Sequence, residues 1–214
     1  MRTIKALVCA AALAAGLASS MAQSNVYSLN VVGYYNVPCA MNSPIMIANQ
    51  LNTTNNTLGA LIATPPPGSW YYKFTGSWNA YQFDVDDLTW YPDSLATMNL
   101  GEGGMFKAAA ATTLTFVGEV EQGALSVAFG TQAVPHVVAS MVPQAGFISA
   151  DLKFPAEPGD WVYKFTGSWN AAQFDVDDLT FYPSEPTFAV GESMMIKKAS
   201  GGSATAWTRN FTVQ

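Results

Sequence analysis

The chain has 214 residues, half of them apolar and 11% charged, and its 15 acidic side chains outnumber 9 basic ones for a formal net charge of −6. That balance disfavours nucleic acid as a partner, because a polyanion is held by clustered Lys and Arg. The length admits one large or two small domains.

The first 22 residues, MRTIKALVCAAALAAGLASSMA, place Arg2 and Lys5 before an uncharged Ala/Leu/Val run too short to span a membrane. Ser20 and Ala22 put small residues at the two positions a signal peptidase reads, so residues 1–22 are expected to be a secretory signal. Cys9 precedes most of the apolar run instead of following it, which argues against a lipid anchor. The mature chain keeps 7 basic and 15 acidic residues, a net charge of −8. It has no second apolar run of membrane length, so a soluble or peripheral protein is expected in the periplasm, on the outer surface or outside the cell. With Cys9 removed Cys39 stands alone, no intrachain disulfide can form, and a small buried apolar role is expected for it.

After the signal, the local pattern is one of strands. VYSLNVV, IMIA, WYYKF, WNAYQF, LTWY, MFKA and LTFVGEV are short, rich in β-branched and aromatic residues, and bounded by Gly, Pro, Asn or Asp. Seven such strands in about 90 residues predict a small β-sandwich or partly open barrel. Between IMIA and WYYKF, residues 56–62 (NTLGALI) have the spacing of a helical turn with Asn56 or Thr57 as cap, stopping before Pro65-Pro66-Pro67. WYYKF-TGS-WNAYQF reads as a hairpin turning at Gly76. Alternation puts Trp70, Tyr72 and Phe74 on one face and Tyr71 and Lys73 on the other, and the Trp/Tyr/Phe face is the expected core. The alanine run 108–111 is too short for a helix and reads as a loop.

The chain contains one stretch twice. Residues 67–92, PGSWYYKFTGSWNAYQFDVDDLTWYP, and 158–183, PGDWVYKFTGSWNAAQFDVDDLTFYP, agree at 22 of 26 positions with an offset of 91. The differences are Ser69/Asp160, Tyr71/Val162, Tyr81/Ala172 and Trp90/Phe181. The match extends back to PIMIANQL at Pro44 and PHVVASMV at Pro135, and forward, at an offset of 90, to GEGGMFK from Gly101 and GESMMIK from Gly191. TAWTRNFTV at the end parallels TLTFVGEV. Two homologous all-β units in tandem are therefore expected, 23–122 and 123–214, joined near Gln122-Gly123.

Asp84-x-Asp86-Asp87 recurs as Asp175-x-Asp177-Asp178. Three carboxylates in four residues could supply hard oxygen ligands to Ca²⁺, but the mid-loop Gly and terminal Glu of an EF-hand are missing. The competing reading is a solvated turn whose Asp side chains cap their own backbone. Apart from Ca²⁺ no cofactor is implied. Trp78, Tyr81, Trp90 and Tyr91 in the first unit, with Trp169, Phe181 and Tyr182 in the second, could stack on sugar rings beside Asn79 and Gln82. The competing reading is ordinary aromatic burial. Trp78, Tyr81, Trp90, Trp169 and Phe181 are the candidate ligand-binding residues, and Ala172 in place of Tyr81 would make the two sites inequivalent.

GEGG at 101–104 precedes a strand instead of the helix that a phosphate cradle requires, and reads as a turn. The only histidine, His136, sits in the apolar PHVVAS segment as a sheet residue. Paired carboxylates for glycoside hydrolysis are available, which leaves a hydrolase as a distant third function. Asn52, Asn55 and Asn210 match the glycosylation pattern but read as turn and strand residues.

GEGGMFK, LTFVGEV, SMVPQAG, TAWTRNF and the YKF-G-W hairpin together resemble secreted bacterial repeat proteins of unknown function, similar in turn to the "GWNLIS"-type β modules of exported bacterial proteins. The resemblance runs from Val26 to Val213. It implies a β module exported to the envelope or beyond, and it brings no catalytic residues. The chain departs from the usual aromatic pair after GEG, with Met105-Phe106 in one unit and Met194-Met195 in the other. The function expected is an exported, non-catalytic structural or adhesive module with a glycan, a protein or itself as partner. The alternative is a carbohydrate-binding module, with or without calcium.

Overall fold

The computed structural model describes residues 31–130 and 132–213. The expected signal segment, Cys9 and most of the VYSLNVV segment lie outside the described residues. In chain order the strands are β1 (Val31–Cys39), β2 (Pro44–Ala48), β3 (Trp70–Phe74), β4 (Trp78–Phe83), β5 (Trp90–Tyr91), β6 (Gly103–Lys107), β7 (Thr112–Val120) and β8 (Gly123–Ala128). They continue with β9 (Pro135–Val138), β10 (Gly146–Phe147), β11 (Trp161–Phe165), β12 (Trp169–Phe174), β13 (Phe181–Tyr182), β14 (Thr187–Phe188), β15 (Met194–Lys197) and β16 (Ala206–Phe211). One helical turn, α1 (Leu58–Leu61), follows Thr57, whose side chain makes no capping bond. The Asn56 side chain instead bonds Asn52 and accepts from Thr53, tying the NTTNN loop to itself.

The protein is all-β, built from antiparallel sheets, with no closed barrel among the described residues. A first sheet has the order β2-β6-β3-β4-β5 and a second the order β9-β15-β11-β12-β13, so each strand of the duplicated stretch holds the same place in its sheet. The chain before and after each sheet forms a two-stranded ribbon, β1 with β7 and β8 with β16. In both sheets the Tyr-Pro bond after the last strand, Tyr91–Pro92 and Tyr182–Pro183, is cis.

Each ribbon covers one face of its sheet. Tyr35, Val37, Leu114 and Phe116 from β1 and β7 share a core with Ile47, Tyr71, Phe83, Trp90 and Phe106 of the first sheet. Trp207 of β16 packs with Val162, Ala172, Phe181 and Ile196 of the second. The core face is thus the Tyr71 face, opposite to the one that alternation and aromatic content suggested. Tyr71 and Val162 are fully buried, whereas Trp70, Tyr72 and Phe74 are half-buried on the outside.

The halves meet through their GE turns. Ala48 N–H donates to the Gly191 carbonyl at 2.9 Å, and the matching Ala139 N–H donates to Gly101 at 2.7 Å. Gly101 and Gly191 both have φ of +79°, which glycine alone adopts without strain. Gly103 faces Ser193 so closely that a Cβ on it would stand 2.4 Å from that of Ser193.

Candidate functional site

Register fixes what each sheet shows to the outside. On the first sheet Lys107, Trp70, Gln82 and Tyr91 form one cross-strand row, Met105, Tyr72 and Ala80 the next, and Phe74 with Trp78 a third. On the second sheet the rows are Lys197, Trp161, Gln173 and Tyr182, then Met195, Tyr163 and Ala171, then Phe165 and Trp169. These residues are the same in both sheets, while at the β2 edge of the second row Met46, beside Met105, becomes Val137, beside Met195. The ring geometry repeats as well. Trp70 and Tyr72 stack at 6.1 Å with 17° between planes, against 6.1 Å and 18° for Trp161 and Tyr163. Phe74 and Trp78 meet edge to face at 5.1 Å and 66°, as do Phe165 and Trp169.

The inner face is different. Phe106, Tyr71 and Tyr81 in one row become Ile196, Val162 and Ala172. Gly104 becomes Met194, Ile45 becomes His136, and Trp90 becomes Phe181. The changes compensate by volume, as core substitutions must. Gly104 lies against the Tyr71 ring, and where Val162 replaces that ring a methionine fits. Within the second stretch the buried residues are Asp160, Val162, Ala172 and Phe181, which are the four that differ from the first, while all 14 exposed positions are the same. Substitutions at exposed positions generally change stability by less than about 0.5 kcal/mol. Folding therefore gives no reason for Trp78 and Trp169, 37% and 39% exposed, to match.

The DVDD loops lie at the same end of each sheet, between β4 and β5 and between β12 and β13. The Asp84 carboxylate accepts the N–H groups of Asp86 and Asp87 at 2.7 and 3.0 Å. Asp175 accepts those of Asp177 and Asp178 at 2.8 and 3.2 Å. The amides of Asp87 and Asp86 hold the Asp84 carboxyl below the usual range, and those of Asp177 and Asp178 do so for Asp175. Beside them Leu88 and Leu179 stand outside the core at φ of +52° and +53°, a conformation costly for any residue with a Cβ. Among the described residues no group of three or more His, Cys, Asp or Glu is placed to hold a metal ion.

Other candidates belong to the interior. Trp90 is a core residue whose Nε1–H donates to the Ile62 carbonyl at 2.8 Å, and Phe181 is likewise buried, so neither contributes to an exposed aromatic surface. Tyr81 packs against the core beside Tyr71, with ring centroids 6.2 Å apart. Of the five candidate ligand-binding aromatics, Trp78 and Trp169 lie outside. The Asn79 amide is engaged with Thr75 and Ser77 in its own hairpin turn. Cys39 is buried, its thiol donating to Val37, and burial pushes its pKa up.

GEGG is a turn. Glu102 accepts the Asn99 N–H and pairs with Lys73 at 3.1 Å, and Glu192 accepts from Ala189 and pairs with Lys164 at 3.2 Å. Gln82, expected beside the aromatic surface, lies in its end row, whereas Trp70, Tyr72, Phe74 and Lys107, with their counterparts, are surface residues that composition did not mark. The signal that finds them is their identity at matching positions of the two halves.

No protein-family model, no curated protein and no solved structure matches the chain. Among the described residues no helix is long and apolar enough to cross a membrane.

Proposed function

We propose that the protein is an exported, non-catalytic structural or adhesive module made of two homologous β units, and that its working surface is the outer sheet face presented twice. The observation that carries this reading is the contrast between the faces. A recent copying event would leave differences without regard to burial, whereas here the interior was rebuilt and the outside was kept. The amino-terminal sequence and the resemblance to exported β modules support export. Among the carboxylates, Glu102 and Glu192 are held in ion pairs, and Asp84 and Asp175 cap turns, which favours a binding module over a hydrolase.

The test is adhesion of the exported chain to the surface and extracellular matrix of the cells that produce it. The Trp78→Ala/Trp169→Ala chain, checked for native circular dichroism, should lose that adhesion. Adhesion unchanged in the double variant would sink the reading.

A second reading is a carbohydrate-binding module. The observation in its favour is the pair of near-parallel Trp70 and Tyr72 rings on the outer face, with the Gln82 amide in the same cross-strand row as Trp70. A panel of polysaccharides tested with calcium and with a chelator separates the two.

A further inference from the structure

We infer that each outer face docks onto the same face of another copy of this chain, so that a molecule carrying two such faces assembles into an open-ended string. The inference rests on the structural-module reading and names the partner of that surface.

The chemistry of the face is that of an interface core. Trp70, Tyr72, Phe74 and Met105, partly buried, and the exposed Trp78 form an apolar patch, and aromatic residues and Met are the types enriched where proteins meet. The ribbons cover the inner faces, and none of these side chains belongs to either buried core. Flat sheets pack face to face at about 10 Å with their side chains interdigitated.

The charges make the face complementary to itself. Lys107, on β6, has no carboxylate within ion-pair distance among the described residues. In the same end row, about 10 Å away across two strands, β4 leads into the loop where Asp86 and Asp87 stand exposed. A half-turn about an axis along β3 exchanges the two sides of the sheet. It sets Trp70 on Trp70 and Tyr72 on Tyr72, and it brings each Lys107 to the acidic loop of the other molecule. Lys197, Asp177 and Asp178 have the same relation about β11. A contact in which one patch meets its own image is isologous and closes at two subunits. Two such patches on one chain, each able to meet either patch of a neighbour, do not close.

The experiment is sedimentation velocity of the exported chain over a concentration series. The native chain should grow beyond a dimer as concentration rises. Tyr72→Glu should stop at the dimer, because one face remains, and Tyr163→Glu should do the same. Tyr72→Glu/Tyr163→Glu should stay a monomer with native circular dichroism. Lys107→Glu/Lys197→Glu tests the charge relation without touching the aromatics, and should raise the concentration needed for assembly about tenfold. Reversing Asp86, Asp87, Asp177 and Asp178 to Lys in that background should restore it. A native chain that is monomeric throughout, or a Tyr72→Glu chain that grows past the dimer, overturns the inference. If the native chain is monomeric but its adhesion or polysaccharide binding is lost in the Tyr72→Glu/Tyr163→Glu chain, self-docking fails while the working surface stands. If the face variants leave adhesion unchanged as well, both fail.

Discussion

The backbone of Gly104 runs directly against the ring of Tyr71, and a Cβ on Gly104 would lie 2.6 Å from Cε2 of that ring and 2.5 Å from the Tyr72 carbonyl oxygen. At the equivalent places the second sheet has Met194 and Val162. Gly104→Ala should therefore destabilise the chain by about 1–3 kcal/mol, the usual range for overpacking. Adding Tyr71→Val removes the ring but not the carbonyl contact, so part of that loss should return. A double-mutant cycle by thermal unfolding should give a coupling of about 0.5 kcal/mol or more. Additive effects would show that the two positions do not share one space.

The hydroxyl of Tyr71 has no hydrogen-bond partner in its buried position, and burial, with the nearby Glu102 charge, pushes its pKa up. A buried polar group without a partner costs about 1–3 kcal/mol. Tyr71→Phe should accordingly raise the unfolding free energy by about 1 kcal/mol. A fall in denaturant midpoint would mean that the hydroxyl has a partner, such as bound water, in solution.

Lys198 is the buried cation of the second half, enclosed by Asp160, by Glu157 at 3.1 Å and by the Pro155 carbonyl at 3.0 Å, with Phe129 and Phe154 ring centroids 5.3 and 5.4 Å away. The first half has Ala108, Ser69 and Pro66 in these places. Removing one member strands the other charges, so Lys198→Met should cost about 3–5 kcal/mol. Glu157 links the cluster to pH. Burial raises its pKa, but hydrogen bonds from Ser203, Lys198 and Ala204 outweigh that and hold it at about 2, against an ordinary 4.5. A depressed carboxylate stabilises fully above its unfolded value and loses that contribution as pH falls through the folded one. Melting temperature should thus decline between pH 4.5 and pH 2. Glu157→Gln should flatten that decline, and an unchanged slope would rule out this carboxylate as its source.

The strands were legible because period, β-branching and turn residues act locally: IMIA, WYYKF, WNAYQF, MFKA and LTFVGEV lie on β2, β3, β4, β6 and β7. Of VYSLNVV, Val31 and Val32 are among the described residues and lie on β1, which runs on to Cys39 through Pro38. In β1 it is tolerated because the ribbon has only one partner strand, and Pro38 sits opposite Thr113 with its other edge open. The choice of core face was not legible from alternation, which separates two faces without saying which is covered. Trp70, Tyr72 and Phe74 have the composition of a core, yet the ribbon lies over Tyr71. The correct face was encoded in the differences between the stretches. Tyr71/Val162 and Tyr81/Ala172 are direct cross-strand neighbours, and two rings lost together mark one shared interior. Trp90 and Phe181 carried the same message.

The repeated acidic loop admits one decisive substitution. A turn needs an oxygen at position 84 to accept the amides of Asp86 and Asp87, and asparagine supplies one. A calcium site needs the negative charge, which asparagine removes. Asp84→Asn and Asp175→Asn should therefore lower the melting temperature near neutral pH only by the charge's share of the amide bonds, while Asp84→Ala and Asp175→Ala, which lose the oxygen as well, should lower it further. Calcium and a chelator should leave the native chain's melting temperature and its Asp86 and Asp87 amide resonances where they were. The Asp84 carboxyl, followed by NMR, should titrate below the ordinary aspartate range, as the two amide donors require. Because that pKa is depressed by folding, the loop's contribution is complete above the ordinary aspartate value and fades as pH falls through the lowered one. Amide shifts that saturate with calcium in the native chain and vanish in Asp84→Asn would reverse the assignment, making the loop a metal site whose carboxylates leave their amides to bind.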